Sequence, residues 1–104
     1  MKYYTIRYTQ QVIDKLSEIA VFIDNYFIFP SSLIYVEEIR QEIDTLSYMA
    51  DAIPKLQWRT EKKHHANEKR LLVKNGKFTV FFHTFYDFVI IDDIVPSGVV
   101  SVEN

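Results

Sequence analysis

The sequence predicts one α+β domain in which a strand and two helices precede a three-strand antiparallel meander, in the order β-α-α-β-β-β. Three observations carry this. Asn75-Gly76 stands between two apolar runs, and this dipeptide supplies the positive φ that a two-residue hairpin turn requires. Tyr4, Ile6 and Tyr8 alternate with Tyr3, Thr5 and Arg7 at the period of a half-buried strand. Two long stripes of apolar residues at three- and four-residue spacing flank Pro30. The 104 residues, 48% hydrophobic and 25% charged, suffice for one core and not for a second domain. The ordered part is expected to span about 3–96.

Taken in order, the first strand ends at Thr9, a residue able to cap the helix that follows. Val12, Leu16, Ile19, Ala20, Ile23 and Tyr26 or Phe27 mark the buried stripe of that helix, which should stop near Phe27 to Phe29 because Pro30 disfavours a helical residue before it. Ser31 or Ser32 can cap a second helix with the stripe Val36, Ile39, Ile43, Leu46, Ala50 and Ile53, closed by Pro54. The short link between the helices predicts an antiparallel hairpin, which would cover one face of the sheet. Residues 55–67 read as a polar, basic connection.

The turn at Asn75-Gly76 sets the register of the next two strands, pairing Leu71 with Val80, Lys69 with Phe82 and Glu68 with His83. A second two-residue turn at Tyr86-Asp87 would bring Ile90 beside His83 and Asp92 beside Phe81. Glu68, Arg70, Thr79, His83 and Asp92 then share one side of the sheet. The other side is apolar apart from Lys69 and Asp93.

The net charge of −2 conceals an asymmetry: residues 55–77 hold eight basic and two acidic side chains, while residues 78–104 hold no basic side chain and four acidic ones. Arg59, Lys62, Lys63, Lys74 and Lys77 are therefore candidates for nucleic-acid contact, with Trp58 as a stacking surface and a solvated loop as the competing reading. Arg70, His83 and Lys69 are the candidate catalytic set. A carboxylate, Glu68 or Asp92, would orient the imidazole, and the competing reading is a polar cross-strand pair on the wet side of the sheet. The chain has no cysteine, so disulfide and thiolate chemistry are excluded. Adjacent His64 and His65 seldom serve one ion, and no metal is expected. No glycine-rich phosphate loop or nucleophile motif occurs, and no cofactor is expected. With neither an apolar leader nor a membrane-length run, the expected location is the cytoplasm.

The opening YTIRYTQQVIDKLSEIAVFI, the second amphipathic helix between Pro30 and Pro54, and KRLLVKNGKFTVFFHTF leading into VIIDDIV together resemble the RelE/ParE superfamily of toxins from bacterial type II toxin–antitoxin modules. That resemblance implies a toxin held inactive by a cognate antitoxin that wraps its surface, as a homodimer or as a toxin–antitoxin hetero-oligomer. It also implies one of two targets: DNA gyrase for ParE-like members, or mRNA on the ribosome for RelE-like endoribonucleases. RelE-like members resemble one another in an arginine just after the aromatic that follows the hairpin glycine. Here the aromatic is Phe78 and the next residue is Thr79, which cannot neutralise a phosphate. The tail VVSVEN also lacks the further Arg, Lys, His or Tyr groups expected after the last strand. Gyrase inhibition is therefore the favoured reading, with mRNA cleavage second and an inactive antitoxin-binding member third.

Overall fold

The computed structural model describes residues 2–26, 32–54 and 67–99. Strand β1 (Thr5–Tyr8) leads into helix α1 (Gln10–Tyr26), followed by α2 (Ser32–Asp44), the short α3 (Leu46–Met49) and a 3₁₀ turn at Ala50–Ala52. Strands β2 (Lys69–Val73), β3 (Phe78–Phe85) and β4 (Phe88–Pro96) complete a four-stranded sheet in the order β1-β4-β3-β2. The helices cover one face, and the expected α+β order holds.

Thr9 joins the first two elements. Its carbonyl accepts from the N–H groups of Val12 and Ile13 at the start of α1, while its hydroxyl donates to the Ile91 carbonyl at 2.9 Å. One residue thus caps the helix and ties its start to β4. Beyond it, Val12 and Leu16 meet Ile39, Ile43, Leu46 and Ala50 over Val73, Val80, Phe82, Val89, Ile91 and Ile94. This is the core that the two stripes predict. The expected end of α1 at Phe27 to Phe29 and the Ser31 cap lie outside the described residues.

Three expectations need correction. The sheet is mixed, because β1 runs parallel to β4, pairing Thr5 with Phe88 and Ile6 with Val89. The expected second helix is interrupted at Thr45, whose N–H and hydroxyl both turn back to the Glu42 carbonyl. That break lets the Tyr4 N–H reach the Ser47 carbonyl at 2.7 Å, and the buried stripe continues across it through Leu46 and Ala50. The third correction lies in β4. Phe82 pairs with Ile91 as expected, but Phe81 pairs with Asp93 instead of Asp92, so Asp92 is the extra residue of a β-bulge.

The β2–β3 register agrees with the reading from the turn at every pair from Lys69↔Phe82 to Val73↔Phe78. Asn75 and Gly76 have φ of 56° and 83°, and Lys74 joins them in the left-handed region at 54°. The strained Lys74 backbone is clamped from outside: its N–H donates to the Glu42 carboxylate at 3.0 Å, its ammonium pairs with Glu38, and it sits over the Tyr35 ring. A Cβ on Gly76 would meet nothing within 4 Å, so only its backbone conformation resists substitution. Gly76→Ala should cost about 1 kcal/mol, read as a lower urea midpoint at unchanged m-value.

Candidate functional site

Strand alternation gives the sheet an outer face, turned away from the helices, that carries Arg7 from β1, Arg70 from β2, His83 from β3 and Asp92 from β4. Arg70 lies in register with Phe81, two residues from His83 along the neighbouring strand. The structure therefore brings Arg70 and His83 onto one surface. The centre of that face is not wet, contrary to expectation: Phe81 and Thr79 are each only 2% exposed.

His83 and Asp92 form the most defined polar contact on this face. Their Nδ1 and Oδ2 atoms lie 2.7 Å apart, and both side chains are nearly buried. The bulge produces the pair, since the extra residue in β4 places the Asp92 carboxylate beside the imidazole of the neighbouring strand. A carboxylate on one ring nitrogen fixes the orientation of the ring. Glu68, the other expected partner, is fully buried just before β2.

Lys69 belongs to the opposite side. It is 8% exposed, and its ammonium donates to the Ala50 carbonyl at 2.7 Å. It satisfies a carbonyl at the end of α3, where helical geometry leaves acceptors without an internal donor. Arg70 and His83 thus do not share a surface with Lys69. Lys74 and Lys77 sit at the β2–β3 turn, with Lys74 engaged by Glu38 and Tyr35 and Lys77 exposed. Arg59, Lys62 and Lys63, together with Trp58, His64 and His65, lie outside the described residues. Among the described residues no three His, Cys, Asp or Glu side chains converge as metal ligands.

Thr79 stands where the RelE-like pattern has arginine. It is buried, with its hydroxyl 2.9 Å from that of Ser97, so it tethers the end of β4 and presents no charge.

On the helical side, a groove of about 730 Å³ runs between α1, α2 and the ends of β3 and β4. Ile19, Phe22, Tyr35, Phe78, Ile94 and Pro96 line it, with Lys15, Glu18 and Lys77 as its polar members. Of these, Phe22 is 54% exposed, and its ring lies 4.7 Å from that of the more open Tyr26.

Two further pairs escaped the sequence. Lys15 of α1 reaches the buried Asp93 carboxylate at 2.5 Å, and Arg7 lies over the Phe88 ring, 5.1 Å from its centroid. The signal for the first was Ile91-Asp92-Asp93-Ile94, where two buried isoleucines are three positions apart in a strand. A period of two cannot place both on one face without a bulge.

A strand, a helical hairpin and a three-strand meander closing on the first strand define a ParE-like α+β fold. Among solved structures, the chain is similar to a chain of the chromosomal ParDE TA system from P. aeruginosa, with a TM-score of 0.73 and 14% sequence identity over 90% of this chain and 96% of that one. No protein-family model matches the sequence, and no curated protein matches it. No helix among the described residues is long and apolar enough to cross a membrane.

Proposed function

We propose that this chain is the toxin of a toxin–antitoxin pair, neutralised by a cognate antitoxin and acting in the cytoplasm as a ParE-like inhibitor of DNA gyrase. The observation that carries the reading is the shared fold with a chain of a ParDE toxin–antitoxin structure over nearly the full length of both chains. The apolar groove beside α1 supports a protein partner, since its lining of Ile19, Phe22, Tyr35 and Phe78 would suit an apolar segment of an antitoxin. The choice of gyrase is supported by Thr79, which is buried at the position where a nuclease of this superfamily has its arginine.

Expression without antitoxin should arrest bacterial growth, and the purified protein should inhibit gyrase supercoiling or trap cleaved DNA. Arg70→Ala and His83→Ala should leave both effects in place. A protein that stops growth yet leaves gyrase untouched at the same concentration would end the gyrase reading.

One observation favours mRNA cleavage as a second reading: the oriented His83–Asp92 pair shares a face with Arg70. Under that reading, translated transcripts are cut during arrest and His83→Ala abolishes the cutting. Harmless expression would instead indicate an inactive antitoxin-binding member.

A further inference from the structure

The outer face ends, where β1 meets the β3–β4 turn, in a group of rings that lie outside the core. Phe85 is 56% exposed and Tyr86 78%. Their rings meet edge to face at 4.6 Å. Phe88 pairs across the turn with Phe85 and carries the Arg7 guanidinium over its ring. We propose that this rim binds single-stranded nucleic acid, with bases stacking on Phe85 and Tyr86 while Arg7, held over the Phe88 ring, meets the phosphate backbone.

The backbone gives the first argument. Tyr86 has a φ of +53° at the first position of a two-residue turn, while Asp87 is not in the left-handed region. Turn chemistry gives such a position to glycine or asparagine. A tyrosine there is strained and its ring contributes little burial, so stability does not explain the residue. The turn is held from outside: Lys2 donates to the Tyr86 carbonyl at 3.1 Å and lies 3.8 Å from the Asp87 carboxylate, and the Thr5 N–H donates to the Asp87 carbonyl at 2.9 Å. The fold thus spends contacts to display a ring in water.

Charge gives the second argument and selects the ligand. Arg7 is exposed and makes no ion pair among the described residues. Of the acids on this side, Asp87 of the β3–β4 turn lies 3.8 Å from the Lys2 ammonium and Asp92 of β4 pairs with His83. Much of the chain's acidity lies on the helices, at Glu18, Glu37, Glu38 and Glu42. The rim therefore presents an uncompensated guanidinium beside exposed rings, and an anionic strand with unstacked bases complements both. A duplex hides its base faces and should bind less well. The proposal is independent of the gyrase reading and includes no cleavage step.

The test is anisotropy of a labelled twelve-nucleotide oligothymidylate titrated with the full chain at several salt concentrations, beside a duplex of equal length. Tyr86→Gly should weaken binding about tenfold, within the range for loss of one stacked base, while its unfolding midpoint stays level or rises because glycine accepts the turn. Arg7→Gln should flatten the slope of log K against log salt by about 0.7, the value for one single-strand phosphate contact. Either no oligonucleotide binding at low salt, or binding that both variants leave unchanged, overturns the proposal. Duplex binding as tight as single-strand binding overturns it as well. So does a Tyr86→Gly protein that binds oligonucleotide normally but fails to engage its antitoxin or gyrase, since the rim would then be a protein-contact surface. Growth arrest is a separate readout, so failure of the toxin reading and failure of this one remain distinguishable.

Discussion

Phe82→Ala should lower stability by about 4 kcal/mol, the usual cost of emptying a fully buried phenylalanine site. Phe82 has no exposed surface and lies in the middle of β3, beneath the helical layer and in register with Lys69 on one side and Ile91 on the other. Both flanking positions are fixed by hydrogen bonding or packing, so the cavity has little room to close. A domain of this size has a total stability of roughly 5–15 kcal/mol, and the loss corresponds to a fall in melting temperature on the order of 20 °C. Phe85→Ala, three positions along the same strand, should cost less than about 1 kcal/mol because its ring is more than half exposed and rests only against Tyr86 among the described rings. Urea unfolding followed by circular dichroism measures both. Equal losses in the two variants would mean that the helices do not lie on the face assigned to them.

That contrast also shows what was legible in the sequence. Asn75-Gly76 determined the β2–β3 register pair by pair, because a two-residue turn leaves one way for the strands to meet. The helical stripes named the core, since three- and four-residue spacing is a local property of the chain. Other features depend on contacts made elsewhere. Alternation at Tyr4, Ile6 and Tyr8 identifies a strand but not its partner, and the parallel pairing with β4 is set by where the helical hairpin returns the chain. The break at Thr45 leaves the apolar stripe intact, so periodicity alone does not reveal it. Lys69 looks like a surface cation between apolar neighbours. Its partner is a carbonyl nineteen residues away, at the end of a helix that the sequence extends too far.

For the candidate site, the sequence put His83 and Arg70 on one face, but it wrongly grouped Lys69 with them and did not reveal the bulge that joins His83 to Asp92. One extra residue in β4 accounts for that contact. The same insertion explains how adjacent aspartates serve different layers: Asp92 meets His83 on the outer face, and Asp93 meets Lys15 of α1. The bulge thus links the outer face to the helical layer through two carboxylates.

The second large effect follows from that link and appears as a dependence on pH. Burial pushes the Asp93 carboxyl upward, but hydrogen bonds from Lys15 and Gln11, the Lys15 charge and the Ile94 N–H outweigh it and hold the carboxyl below its usual value of 3.8. A folded-state pKa below the unfolded one means that the unfolded chain takes up its proton first as pH falls. The stabilising contribution is therefore fully present above about pH 4 and is lost as pH drops through the folded value. Asp93→Asn keeps the shape and removes the charge. It should cost about 2 kcal/mol at pH 7, the range for a hydrogen bond to a charged group, and flatten the acid limb of the urea midpoint measured from pH 7 to pH 2. Lys15→Met should act in the opposite sense on the titration. With the cation gone, burial is opposed by fewer groups, the carboxyl rises, and acid unfolding begins at a higher pH than in the parent. An Asp93→Asn profile parallel to that of the parent would show that this ion pair does not anchor α1 to the bulge.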